Sequence, residues 1–327
     1  MIVGWDETSA FALCSIPAPS ARRLFFLPSK AWGAALSADE RFELDPADPA
    51  VALSNGLLVG LGAIGADVVA LPSPAVARAF ETAPELAFRA SDEPIVSVRL
   101  GCDEPPHDPA NDPALAAPYS AQETGGKLEC RKALARRTSL ALGPRTLLLT
   151  TGPLDPSAGG RSLLETLSRL TRADVAIVLP GGGDRGLLDQ ANLLAMQSPG
   201  KLAILSQTTP EVERQRLAGA DAILLADSRD QTGRAAGLAL RYGTLPIAPN
   251  QAAAADYLVD YDVDSSTGCG LLYEAGNAWE GEAAVQRAIN LRVNADVWHA
   301  LLRSLLAAAP HWAATAATVE SICLSPS

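Results

Sequence analysis

From residue 145 onward the chain alternates two kinds of segment, and this alternation restricts the possible folds more than any other feature. Apolar runs such as "RTLLLTTG", "DVAIVLP", "KLAILSQ", "DAILLADS" and "LPIAP" are separated by stretches with helical spacing: "GGRSLLETLSRLTR", "RGLLDQANLLAMQ", "PEVERQRLAGA" and "GRAAGLALRYG". A strand that is apolar at every position has both faces buried, and strands joined through helices run parallel. The pattern therefore predicts a doubly wound α/β domain over residues 143–296. No internal repeat or low-complexity tract interrupts it.

Residues 1–142 read as a separate domain, and residues 297–327 as a helical tail that packs back across both. "DVVALPSPAVARAFE" predicts a strand, a Ser-Pro turn and a helix opened near Pro74. "CDEPPHDPANDPALAAPYS", residues 102–120, is rich in Pro and Asp and predicts a surface loop. "AQETGGKLECRKALARRTSLAL" follows as a basic, helix-like stretch.

A chain of 327 residues suits two domains of ordinary size, and a hydrophobic share of 48% excludes a disordered protein. The net charge of -11 argues against a nucleic-acid partner, which would need clustered Lys and Arg. Cys14, Cys102, Cys130, Cys269 and Cys323 are scattered, odd in number and without metal-site spacing, so a reducing cytoplasmic setting is expected. The opening "MIVGWDETSAF" lacks the basic start of a signal peptide. The most apolar stretch, residues 55–72, is broken by Asp67 and by glycines; it predicts a buried helix running into a strand and no membrane span.

Several motifs invite a chemical reading. Gly181-x-Gly183-x-x-Gly186 follows a strand and precedes a helix, as in a dinucleotide fingerprint, but it lies on the second strand of its domain rather than the first. A tight strand-to-helix turn accounts for it better. "ETGGK" (123–127) has no strand before it, and Glu123 would repel phosphate, so it reads as a turn leading a helix. His107, His299 and His311 lack metal-site or triad spacing, and no metal or cofactor is expected. Asp227 and Asp230, followed by Gly233, lie after a strand and before a helix, where open α/β sheets bind ligands.

That last region carries a resemblance. "GADAILLADSRDQTGRAAGLALRYGTLPI" (219–247) resembles the core signature of bacterial glycogen synthases and plant starch synthases, glycosyltransferases of the GT-B fold. "DPANDPALAAPYSAQETGGKLECRKALARRTSL" is similar to that family's interdomain stretch, and "STGCGLLYEAGNAW" to the segment before its final helices. The resemblance covers residues 55–318. It implies two Rossmann-like domains with parallel sheets, the N-terminal one shortened, and a nucleotide sugar or an α-glucan as ligand. It also implies that a second copy or a protein partner covers the edge of the shortened domain.

By the same resemblance, the nucleotide-sugar site would comprise Gly182, Gly183, Thr208, Asp230, Thr232, Gly233, Gln251 and Ala252, with Asp230 as the catalytic candidate. The departures matter more. The family's Arg and Lys, which neutralise the leaving diphosphate, fall on Pro153 and Ala158. Its Thr-Gly-Gly turn falls on Gln251, Ala252 and Ala253, whose Cβ atoms are expected to obstruct a backbone needing positive φ. Its adenine-stacking Tyr falls on Thr208, and its N-terminal Lys-Thr-Gly-Gly loop is absent. The expected function is a catalytically silent, regulatory or binding homologue in glucan metabolism. The alternative is a divergent but active transferase, in which another cation such as Arg161 or Arg229 reaches the diphosphate.

Overall fold

The computed structural model describes residues 2–5, 23–27, 66–81, 95–206, 209–226, 232–274 and 278–324. They form two compact units, one made of Met1–Leu100 with Ala313–Ser327 and the other of Gly101–Trp312.

In the first unit, strands β1 (Ile2–Trp5), β2 (Arg23–Phe26), β3 (Val68–Leu71) and β4 (Ile95–Ser97) pair in that order, all parallel. β3 is buried along its whole length, and helix α1 (Pro74–Glu81) follows it. Ser73 opens α1 by accepting from Val76 N at 3.2 Å, a hydroxyl taking one of the unpaired donors of the first turn. The strand and helix expected near Pro74 are thus present. The helix expected before β3 lies outside the described residues.

The second unit holds α2 (Gly125–Thr138), β5 (Thr146–Thr150), α3 (Gly160–Leu170), β6 (Val175–Pro180), α4 (Arg185–Gln197), β7 (Leu202–Leu205), α5 (Pro210–Gly219), β8 (Ala222–Leu224), α6 (Arg234–Arg241), β9 (Leu245–Pro249), β10 (Leu271–Tyr273), α7 (Ala278–Val293) and α8 (Ala295–Ala308). The last helix, α9 (Trp312–Leu324), follows. Six parallel strands pair in the order β10-β9-β8-β5-β6-β7. The chain starts at the centre with β5, winds outward through β6 and β7, then crosses back to β8 and winds the other way. β5, β6 and β8 are buried at every residue, as their unbroken apolar sequences predict. The reversal of direction between β5 and β8 leaves a crevice at their C-terminal ends, where open α/β sheets take ligands.

Helix starts follow from local chemistry. Asp184 caps α4 by accepting from Leu187 N at 3.0 Å, and Asn294 caps α8. Thr209 caps α5, with Pro210 in its first turn and the acids Glu211 and Glu213 placed favourably against the helix dipole.

Residues 102–120 contain no regular element, as their composition predicts, yet they are more than a surface loop. Cys102, Asp112 and Tyr119 are buried. Asp112 pairs with Arg214 of α5 at 2.8 Å and accepts from Tyr242 Oη at 3.0 Å. Tyr119 Oη donates to Tyr242 O at 2.9 Å. A Pro- and Asp-rich segment cannot join a sheet, but its carboxylate and phenol can still anchor it in a core.

Candidate functional site

The C-terminal ends of β5, β6 and β8 are drawn together by their loops. Leu154 N donates to Gly182 O at 2.8 Å, and Asp184 N donates to Leu154 O at 2.7 Å, locking the loop after β5 to the loop after β6. Gly183 holds φ +113° in this contact. A Cβ there would meet Leu154 O at 2.0 Å, so only glycine fits. Thr151 Oγ1 accepts from Ala226 N at 3.2 Å, joining the end of β5 to the end of β8.

Under these ends lies a cavity of about 380 Å³, with Thr150, Pro153, Gly182, Arg214, Arg216 and His107 among its lining residues. Much of the remaining wall is apolar, from Leu149, Leu217, Ile223 and Leu238. Arg214 is committed to Asp112. Arg216 is 3% exposed; its Nη1 donates to Glu213 Oε1 at 2.7 Å and its Nη2 to Thr150 O at 3.4 Å. Desolvation pulls the Arg216 guanidinium below its ordinary pKa, and Glu213 opposes that shift. Burial, and then the nearby charge of Arg234, hold the His107 imidazole below its ordinary value, which keeps it neutral at pH 7.

The residues expected from sequence divide into three groups. Gly182 lines the cavity beside Pro153, and Gly183 stands behind it in the turn. Thr232, Gly233, Gln251 and Ala252 are not among the cavity-lining residues. Thr232 Oγ1 accepts from Arg234 N at 3.1 Å, at the start of α6. Gln251 is exposed, and Ala252 takes φ -79° and ψ 155° before a 3-10 turn over Ala253–Tyr257. Ala252 thus takes an extended conformation open to any side chain, without backbone strain. Thr208, Asp227 and Asp230 lie outside the described residues.

Neither departure at the loop after β5 leaves a charge. Pro153 forms part of the cavity wall. Ala158 is 4% exposed and ends a 3-10 turn, Pro156–Ala158, that Asp155 caps by accepting from Ser157 N at 2.8 Å. Arg161 lines a different groove, with Glu165, Arg169 and Gln190, and Arg229 is outside the described residues. Two charged residues in the other motifs serve the scaffold. Lys127 of "ETGGK" is buried among backbone carbonyls, and Asp184 of "GGGD" is a helix cap.

Sequence reasoning missed His107, Thr150, Glu213, Arg214 and Arg216. The stretch "PEVERQRLAG" shows charges in a helical run, which ordinarily marks a solvent face, and nothing in its spacing reveals that Arg214 and Arg216 are on the buried side.

The chain matches no protein-family model. A glycogen synthase from Halorhodospira halophila is 29% identical over 222 residues, covering 68% of this chain and 46% of the relative. A glycogen synthase from Burkholderia thailandensis is 30% identical over 270 residues, covering 78% of this chain and 50% of the relative. The chain thus spans about half the length of the curated relatives it matches. Among solved structures, the catalytic domain of starch synthase IV from Arabidopsis thaliana, bound to ADP and acarbose, superposes with a TM-score of 0.84 at 22% identity, covering 98% of this chain and 72% of that one. Anabaena HepE in complex with UDP gives 0.64 at 14% identity, covering 98% of this chain and 78% of that one. By its sequence relatives and its fold, this chain is a homologue within the glycogen synthase and starch synthase family of GT-B glycosyltransferases.

Proposed function

We propose that this chain is a non-catalytic member of the family that binds a nucleotide or nucleotide sugar at the crevice between β5 and β8 and serves as a cytoplasmic binding or regulatory protein in glucan metabolism. The observation that carries this reading is the loop after β5. Pro153 on the cavity wall and the buried Ala158 stand where the resemblance places the two cations that neutralise a leaving diphosphate. Each donor aimed at developing charge contributes about 10²–10³-fold in rate, so the loss of both costs on the order of 10⁴-fold. The nucleotides bound by the structural neighbours, ADP in starch synthase IV and UDP in HepE, support the ligand class.

The test is transfer of radiolabelled glucose from ADP-glucose to glycogen by the purified chain. No incorporation above background is expected; turnover within about a hundredfold of an ordinary glycogen synthase overturns the reading. One observation favours the second reading, a divergent but active nucleotide-sugar transferase: Arg216 brings a guanidinium to the same cavity from a different element. Measurable turnover that disappears in Arg216→Met would establish it.

A further inference from the structure

The cavity at the β5–β8 crevice carries more unpaired polar character than a packed interior retains. Arg216 Nε, Thr150 Oγ1 and His107 Nδ1 are all buried and have no hydrogen-bond partner among the described residues, and all three residues line this one cavity. Buried polar atoms nearly always find a partner, so three orphans around one space point to a missing occupant. Thr150 is 0% exposed and Arg216 3%, so neither can turn outward to water.

The charges identify the occupant's chemistry. Arg214 is neutralised by Asp112 within the core. Among the described residues Arg216 is paired only with Glu213, and that pair is lopsided: the guanidinium side chain is 4% exposed and the carboxylate side chain 48%. The cation is buried and fixed in place, whereas its counter-ion is half in solvent, so a ligand that takes over the charge of Arg216 can displace it without leaving the guanidinium unpaired. Once Glu213 leaves, Arg216 can offer its freed Nη1–H beside Nη2–H as an end-on fork, with Nε–H on the adjoining edge, Thr150 a hydroxyl, and His107 an Nδ1–H in the matching tautomer. Those donors suit the three terminal oxygens of a phosphate better than the two of a carboxylate. The apolar walls from Leu149, Leu217, Ile223 and Leu238 leave room for an organic moiety beyond the phosphate.

Resting on the reading of this crevice as the ligand site, we propose that Arg216 on α5 is the phosphate-binding group for an organic phosphate, and that Glu213 occupies it as an internal competitor until the ligand displaces it. Positive charge then reaches the crevice from the helix before β8 rather than from the loop after β5.

Isothermal calorimetry on the full chain tests this, with ADP as the organic phosphate, adenosine as its uncharged counterpart and inorganic phosphate as the bare anion. Glu213→Gln removes the competing charge at a half-exposed site, with circular dichroism checking that it folds. It is expected to tighten ADP binding about five- to tenfold and to leave adenosine unchanged. Arg216→Met is expected to weaken ADP more than about tenfold, with circular dichroism checking that it folds. Inorganic phosphate is expected to bind more weakly than ADP and to show the same gain in Glu213→Gln. Unchanged or weaker ADP binding in Glu213→Gln overturns the proposal. So does an equal gain for adenosine, or no ADP binding by either protein at millimolar concentration. Because the readout is binding, glucose transfer by the chain would overturn the non-catalytic reading and leave this assignment standing.

Discussion

At Gly233 the backbone holds φ +67°, and a Cβ built there would lie 2.6 Å from the Tyr257 ring and 2.7 Å from Ala253 O. The residue that the resemblance marks for ligand binding is thus also a packing site between the start of α6 and the turn after β9. Gly233→Ala combines an unfavourable backbone conformation with a clash, and should cost at least the ~1–3 kcal/mol of a strained backbone position. Gly125 is the contrast. It opens α2 with open space where a Cβ would be, so Gly125→Ala should be neutral or stabilising by up to ~1 kcal/mol. Urea unfolding of the two variants checks both, and equal stability of Gly233→Ala and the parent would contradict the packing role. The glycine itself was legible in the sequence. The ring that requires it, twenty-four residues further on, was not.

At the scale of elements, Lys127 ties α2 to the ends of two other helices. Its Nζ donates to Leu217 O at 3.4 Å and Ala218 O at 3.1 Å in the last turn of α5, to Tyr242 O at 2.8 Å just past α6, and to Thr244 Oγ1 at 3.0 Å. An ammonium here serves carbonyls that helix ends otherwise leave without donors. Lys127→Met should therefore destabilise by at least the ~1–3 kcal/mol of one orphaned buried acceptor. Burial lowers the Lys127 pKa to about 7, from an ordinary value of 10.5. Between these values the unfolded chain holds a proton that the folded chain has released. This group therefore costs stability below pH 7, and stability rises as pH climbs from about 7 toward 10.5. Urea unfolding at pH 7 and pH 9 should show that rise in the parent protein and a flatter profile in Lys127→Met; identical pH profiles would count against it. In the sequence, "ETGGK" shows a lysine after glycines, and only the packing of α2 against α5 turns it into a clamp.

For the whole molecule, the second unit carries its own core. The buried cluster that runs from Tyr119 to Ala309 lies wholly within Gly101–Trp312 and includes the buried faces of β5, β6, β8 and β9. A fragment of residues 101–312 is therefore expected to fold alone, because a domain of this size buries enough apolar surface to be independent. Far-ultraviolet circular dichroism should show helical signal and one cooperative thermal transition; a broad, non-cooperative melt would show that the unit depends on the rest of the chain.

Strand and helix positions from residue 145 to 249 were written in the sequence because full burial demands unbroken apolar runs and each helix carries its own caps. The family resemblance in "GADAILLADSRDQTGRAAGLALRYGTLPI" was equally local, and several of its recognisable residues prove to be scaffold. Asp221 accepts from Leu147 N at 2.7 Å and pairs with Arg131 at 2.9 Å, Tyr242 Oη donates to Asp112, and Thr244 Oγ1 donates to Ala220 O at the end of α5. The sequence by itself therefore determined the type of sheet and the placement of its strands. Which side of α5 faces inward depends on how that helix lies against β5 and on where residues 102–120 are anchored, through contacts such as Arg214–Asp112 that are 102 residues apart in sequence. Only the tertiary structure decided that Arg216 is buried, that Glu213 beside it is half exposed, and that His107 and Thr150 meet them around one cavity.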